Sequence, residues 1–376
     1  MIRRCSISTP STNTTTNTSA PNTSAGSATK QAVPAQTRTP GQPGSRAAAR
    51  NAAPRNQPEP GTLAAIGEFG LIAVVTRDQP QLPDTSVGPG DDAAVVAAGD
   101  GRVVVSVDML VDGVHFRSDW ATGEQIGRRA ALASMSDIAA MGAAPTSLVV
   151  AISAPGTTPT ELIVGIGKGL HDAAHEAGAA VVGGDMTRSE TLTIAVTVLG
   201  DLRGARPVLR SGARPGDEVA IIGRLGWAAA GLAVLSRGFR SPAVIVGAYR
   251  VPEPPLQAGV IAAASGATSM IDVSDGLLAD LGHIAKASDV SINIRTAALD
   301  VNPRLVEVAS ALGKDPMEWV LTGGDDHPLV ATFPHGSTLP PGWQPIGTVG
   351  VVGDLGATVT IDGSPRDEPG GWDHFR

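Results

Sequence analysis

Ordered alternation of apolar and polar positions begins only near Thr62. From there LAAIGEFGLIAVV reads as a short helix with apolar residues at helical spacing, leading into a glycine-bent loop, GPGDDAAVV, over 88–96. VVVSVDM (103–109) alternates with period two, so Val103, Val105 and Val107 face one way while Ser106 and Asp108 face the other. EQIGRRAALASMSDIAAMG (124–142) is helical in composition. Turned at about 100° per residue, it puts Ile126, Ala130, Ala133 and Met141 in one stripe with Asp137 in the middle. Thr158, Pro159 and Glu161 supply an N-cap, an N1 proline and an N3 acid for a helix running to Gly178. The glycines of its GIGKG (165–169) match no phosphate-loop pattern and predict close helix packing. AAVVGGD (179–185) and LTIAVTVLGDL (192–202) follow as strands, with Asp185 at a strand's carboxyl end, where α/β folds put ligands.

A connector over 207–216, carrying Arg210, separates this run from a second one. There, DEVAIIGRLGWAAAGLAVL (217–235) is a strand, a glycine turn and a helix; Pro252, Pro254 and Pro255 mark a loop. SMIDVSDGLLADL (269–281) gives a strand ending in Asp272, Ser274 and Asp275, then a helix from about Gly276, a place that suits magnesium and phosphate together. LTGGDDHPLVATF (321–333) and the terminal GWDHF (371–375) complete the informative stretches. The fold class predicted is α/β with mixed sheets, in two domains over 61–206 and 207–376, behind a tail of residues 1–60.

That tail is Ser, Thr, Asn, Ala, Pro and Gln with almost no branched apolar side chains, so ordering it costs entropy that burial cannot offset, and disorder is expected. An organelle transit peptide shares this poverty in acids, but the tail lacks an amphipathic face. The tail carries seven Lys or Arg (Arg3, Arg4, Lys30, Arg38, Arg46, Arg50, Arg55) and one acid, Glu59, hence +6; the whole chain is −8, so the remainder is −14. An acidic body argues against a nucleic-acid surface. No apolar run is long enough for a membrane helix, and Cys5 is the single cysteine, so neither a disulfide framework nor a cysteine zinc site is expected. A reducing cytoplasm is the expected home.

Carboxylates then dominate the chemistry. Asp91 and Asp92 are adjacent on a glycine-bent loop and repel unless a cation is shared between them. Ser106 and Asp108 two apart on one strand face suit a hard cation, although a solvated strand face has the same pattern. Asp137 on an apolar helix stripe is costly unless paired or bound to metal, whereas most helix aspartates face solvent. With Asp185, Asp272 and Asp275, and without a His cluster or an EF-hand loop, the set favours magnesium or calcium over zinc. The residues alone point to magnesium-dependent phosphate chemistry or to a non-catalytic acidic metal-binding scaffold.

GDDAAVV, SVDMLVDGVHF, SDIAAMGA, VGGD, RSGARPGD, DVSDGL, LTGGDD and GWDHF, in that order, resemble the motif series of the thiamine-monophosphate kinase family. That family belongs with aminoimidazole ribonucleotide synthetase, selenophosphate synthetase and the hydrogenase maturation protein HypE, and the resemblance spans about Gly67 to Phe375. It implies an aminoimidazole ribonucleotide synthetase-like fold whose N-terminal domains pair into a homodimer. It also implies direct in-line transfer of the γ-phosphoryl of ATP to thiamine monophosphate, giving thiamine diphosphate. Carried over by motif, Asp92, Ser106, Val107, Asp108, Asp137, Asp185, Asp272 and Asp275 would hold several Mg²⁺ ions, with Asp108, Asp137 and Asp275 central to catalysis. Gly184, Asp185, Arg210 and Ser274 would touch ATP; His115, Asp325 and Trp372 would touch thiamine monophosphate, with Phe116 as a further exposed ring. Val107 stands where the family often has Thr, and Asp325, His327 and Pro328 depart from a usual Glu, Tyr and polar residue. Of the relatives, selenophosphate synthetases place a reactive Cys or selenocysteine with a Lys near the start of the fold and HypE relies on a C-terminal cysteine, whereas this sequence has no Cys beyond Cys5 and ends His-Phe-Arg. An aminoimidazole ribonucleotide synthetase-like reaction stays open.

Overall fold

A computed structural model describes residues 59–77, 79–87, 94–354, 356–366 and 370–372. The rest of the predicted tail, the Asp91–Asp92 pair and Asp373–Phe375 lie outside the described residues. The first helical stretch is two helices, α1 (Leu63–Ile66) and α2 (Glu68–Val75), because Gly67 between them adopts φ +73°, outside the helical region. A two-stranded ribbon, β1 (Thr85–Val87) and β2 (Val95–Val96), flanks the Asp-pair loop.

Next come β3 (Val104–Val111), α3 (Gly123–Ala140), β4 (Ala144–Ala154), α4 (Thr160–Glu176), β5 (Ala180–Arg188) and β6 (Thr193–Asp201). Their sheet has the order β3-β6-β4-β5, antiparallel except for the parallel pair β4 and β5. The second run contains β7 (Glu218–Ile222), α5 (Trp227–Ser236), α6 (Ala243–Arg250), α7 (Leu256–Ala264), β8 (Ser269–Asp272), α8 (Leu277–Ser288) and β9 (Ser291–Ile294). It ends in α9 (Pro303–Leu312), α10 (Pro316–Thr322), β10 (Leu329–Phe333), β11 (Gln344–Gly350), β12 (Val359–Ile361) and β13 (Ser364–Pro365). These strands form a seven-stranded mixed sheet, β13-β12-β9-β11-β7-β10-β8, in which only β12 and β9 run parallel. β10 lies between two neighbours and is buried at every residue; its one polar side chain, Thr332, is hydrogen-bonded to Ser269.

α3 joins the two sheets. Thr122 and Gln125 close a reciprocal capping box at its start. Ile126, Ala130 and Met135 pack under the four-stranded sheet, whereas Ala139 and Ala140 at its far end enter the core formed with Ala220, Met270 and Phe333 of the other. Met141 is the C-cap and lies outside the helical stripe. The glycine prediction for GIGKG holds: a Cβ on Gly169 would run into the Glu124 carbonyl oxygen, and one on Gly127 into that of Ile166. Leu170 and Ile166 are thereby drawn against α3 at backbone distance.

Three local readings are corrected. Pro159, not Thr158, holds the N-cap position of α4 and, having no side-chain acceptor, makes no side-chain cap; Thr158 lies in the preceding turn, its N–H donating to the Pro155 carbonyl. β5 continues to Arg188 because the long β4 goes on pairing with it, so Asp185 is an exposed mid-strand residue rather than the strand's end. Phe116 is 2% exposed and belongs to the N-terminal core, so it is no exposed ring.

Candidate active site

β3 turns its polar face inward. Val105, Val107 and Met109 are 62%, 64% and 59% exposed, while Ser106, Asp108 and Leu110 point towards α3. Ser106 Oγ donates to Asp137 Oδ2 at 2.6 Å, tying the strand to the helix. Burial, then the charges of Asp272 and Asp108, push the Asp137 carboxyl up to about 6. Asp108 is raised chiefly by burial, with a Ser134 hydrogen bond acting against it.

Asp272, last residue of β8, is buried at 4% exposure. Burial pushes its carboxyl up, but hydrogen bonds from His327 and Ser136 and the nearby imidazole charge outweigh this and hold it below the usual carboxylate range. His327 Nδ1 stands 3.0 Å from Asp272 Oδ2, and Ser136 Oγ donates to the same oxygen. Against its own burial, the imidazole is raised by that carboxylate.

The loop before β10 sends three neighbouring side chains to three places. Asp325, at φ +68°, pairs with Arg129 Nη2 at 2.8 Å. Asp326 accepts from the Trp227 and Ala228 N–H groups at 2.8 and 2.9 Å, capping α5, and burial pushes it up to about 7. His327, at φ +53°, reaches Asp272. The loop is laced to the β8 end by Asp325 N to Ser274 O at 2.9 Å and Val273 N to Pro328 O at 2.9 Å. A Cβ on Gly324 would run into the Ser274 carbonyl oxygen, so the close approach requires glycine there.

The start of α8 differs from the sequence expectation. Asp280, pushed up to about 7 by burial, accepts from the Asp275 and Gly276 N–H groups, both at 3.1 Å, and Ala279 N–H donates to Gly370 O. The Asp275, Gly276 and Ala279 N–H groups are therefore already taken by the protein. Trp372 N–H donates to Asp275 O at 3.0 Å, which lays the last described residues across this helix start and leaves the indole 64% exposed.

A cavity of about 630 Å³ lies between these elements and brings together Asp108, Asp137, Asp272, Ser274 and Asp275 with His115, Asp325 and Trp372. That volume falls in the range of small-molecule sites. His115 is held in the turn after β3, its Nδ1 accepting from Val111 N–H at 3.0 Å. Ser106, Val107, Gly184, Asp185 and Arg210 do not line the cavity. Asp185 lies in register with Ala151, Ala195 and Met109 across the sheet, a row that ends on the exposed apolar face. Arg210 is exposed, and its charge helps to depress Asp272. A larger cavity of about 850 Å³, bounded by Leu63, Pro155 and Arg188, holds none of the predicted site residues, so volume alone does not mark the chemistry.

Arg129 was not singled out from the sequence. It is 4% exposed, stacks over Tyr249 with its guanidinium 5.0 Å from the ring, and lines the cavity. Its spacing was the available signal, since positions 129, 133 and 137 share one helix face. Asp280, in the first turn of a helix, carried a similar signal.

The residues fit a divalent cation. Among the described residues no three His, Cys, Asp or Glu side chains already stand at ligand spacing. Magnesium, however, keeps several waters and takes oxygens from phosphate, so one or two carboxylates suffice. Asp108 and Asp137 would supply them: neither has an ion-pair partner among the described residues, and both carboxyls are raised.

A mixed-sheet fold joined by one helix, with an acidic cleft at the junction, defines the class, and the family model for the N-terminal domain of AIR synthase related proteins matches residues 90–202. The chain is 46% identical over 315 residues to the thiamine-monophosphate kinase of Mycobacterium tuberculosis, covering 84% of this chain and 93% of that one. The crystal structure of thiamine-monophosphate kinase from Stenotrophomonas maltophilia K279a superposes with a TM-score of 0.68 at 31% identity, covering 78% of this chain and 95% of that one. A structure described as AaThiL complexed with AMPPCP and TMP gives a TM-score of 0.68 at 29% identity over 82% and 97% of the two chains. This chain belongs to the thiamine-monophosphate kinase family.

Proposed function

We infer that the protein transfers the γ-phosphoryl group of ATP to the phosphate of thiamine monophosphate, releasing ADP and thiamine diphosphate. The observation that carries this reading is that Asp108 and Asp137, both raised chiefly by burial and neither with an ion-pair partner among the described residues, stand together at the wall of a cavity of about 630 Å³. The acceptor is an already ionised phosphate, so no strong general base is needed, and direct in-line transfer is the mechanism proposed. The task left to the protein is to bring two anions together and hold them in line.

Asp108 and Asp137 would hold magnesium, with Asp272 and Asp275 adjoining and Ser106 fixing Asp137. Bound there, the ion supplies charge neutralisation at the reacting phosphates. The motifs assign Ser274 to ATP and Asp325 and Trp372 to the thiamine moiety, and that all three line the cavity supports the assignment. The Arg129 pair fixes Asp325 towards the cavity. The remaining assignments, Asp92 and Val107 to metal and Gly184, Asp185 and Arg210 to nucleotide, rest on the motifs. A domain division between 206 and 207 is proposed on the same basis, each sheet lying on one side of it.

A homodimer is proposed because β3 presents Val105, Val107 and Met109, continued by Val149 of β4, as an exposed apolar face that a second copy would cover. Sedimentation at micromolar concentration tests it. Function is tested by coupled ADP release: turnover should require both thiamine monophosphate and magnesium. ADP release that ignores thiamine monophosphate, or none at all, would overturn the reading.

A further inference from the structure

We propose that His327 is a positioning residue which, together with Ser136, fixes the Asp272 carboxylate for cation binding in the cleft; this rests on the reading of that cleft as a magnesium–nucleotide site. The geometry is specific. His327 Nδ1 and Ser136 Oγ converge on one oxygen, Asp272 Oδ2, and stand 3.2 Å from each other. A carboxylate with one oxygen held from two directions cannot rotate, so its second oxygen also has a fixed position. Asp272 lines the cavity, whereas Ser136 adjoins Asp137 in sequence. The same hydrogen bonds therefore couple the end of β8 to the helix that carries the other acid.

His327 is placed for this task at a cost. Its backbone is held at φ +53° and the residue is 7% exposed, while its backbone N–H reaches the Val273 carbonyl at 3.2 Å. A left-handed conformation suits Asn and His better than most side chains. A buried carboxylate also needs donors, and on its Oδ2 the described residues supply Ser136 and His327. The expectation that residue 327 merely departs from a substrate loop is thus replaced by a role behind a carboxylate. Partners of this kind commonly alter metal affinity by about 10- to 100-fold when removed.

The test uses the side chain's own geometry. Asparagine places its amide nitrogen where Nδ1 stands and tolerates the backbone; glutamine places it at the Nε2 position and leaves Asp272 without that donor. The readout is the magnesium concentration giving the half-maximal rise in melting temperature with a non-hydrolysable ATP analogue, measured without thiamine monophosphate and hence without turnover. His327→Gln should raise that midpoint about tenfold or more, His327→Asn should stay within about threefold of wild type, and Ser136→Ala should shift it in the direction of the glutamine variant. A purely structural role would lower the melting temperature at every magnesium concentration and leave the midpoint in place, which overturns the proposal. Should His327→Gln not fold, Ser136→Ala and His327→Asn decide between the same two outcomes. A wild type whose melting temperature ignores magnesium also overturns it. A wild type that binds magnesium and nucleotide but does not phosphorylate thiamine monophosphate would refute the preceding functional reading and leave this test standing.

Discussion

Replacing Asp137 by asparagine separates what the site costs the fold from what it contributes to the reaction. The Asp137 carboxyl is pushed from 3.8 to about 6, by burial first and then by Asp272 and Asp108. A carboxyl whose folded value is raised contributes stability that is complete below its unfolded value and lost as pH rises through about 6. At pH 7 the wild type has lost that contribution, a burden of roughly 3 kcal/mol at most for about two pKa units. Asparagine keeps the shape and can still accept from Ser106 Oγ, which lies 2.6 Å from Oδ2, but carries no charge. Without divalent metal, Asp137→Asn should therefore gain roughly 1–3 kcal/mol at pH 7, and the gain should shrink as the pH falls through 6. Turnover should fall by about 100-fold or more, the order found when one electrostatic stabiliser is removed from a reacting centre. Parallel urea titrations and ADP-release assays measure both. A variant no more stable than wild type at pH 7, or one that turns over nearly normally, would refute the view of Asp137 as a repelled, ionised carboxylate of the site.

Trp372→Ala should weaken thiamine monophosphate binding by about tenfold, or about 1.4 kcal/mol, and leave ATP binding and the melting temperature nearly unchanged, because the indole is 64% exposed; calorimetry finding both ligands weakened alike would contradict this. Gly169→Ala should cost about 1–3 kcal/mol by overpacking, since the new methyl would run into the Glu124 carbonyl, yet leave KM for both substrates unchanged in steady-state assays. His171, buried in α4, is depressed from 6.5 to about 4 by burial. Its stability contribution is present above 6.5 and lost as pH falls towards 4, so His171→Phe should flatten the stability-against-pH curve in that window, by up to roughly 3 kcal/mol.

Periodicity made several elements legible. The stripe of α3, the strand–loop–helix at 269–281 and the glycine packing of GIGKG follow from spacing that sequence displays directly. What periodicity withholds is which face of an alternating strand meets the core. In β3 the valines shared a face as expected, but that face is the exposed one, and the polar residues turn towards α3. The same limit applies to Asp185, whose strand ran on because its partner did. Competing acceptors are equally invisible: the α8 start looked open to phosphate until the Asp280 carboxylate took the Asp275 and Gly276 N–H groups and the Gly370 carbonyl that of Ala279.

The Asp325-Asp326-His327 run carries the least local information and the most tertiary meaning. An aspartate, an aspartate and a histidine in a row read as a polar loop, yet left-handed backbone at the first and third turns them to Arg129, to the α5 N-terminus and to Asp272. Pro328 follows without an N–H to satisfy, at the entry to β10, where its carbonyl accepts from Val273. The loop thereby sorts the acids of the cleft. Asp325 is answered by a guanidinium and Asp272 by an imidazole, whereas Asp108 and Asp137 have neither among the described residues. Because an unanswered buried carboxylate is the costly kind, the charge of an incoming cation has most to gain beside those two. The protein's own pairing thus supports the proposed cation site between β3 and α3 rather than at Asp325, and on that proposal the Asp325 side of the cavity is left for the second substrate.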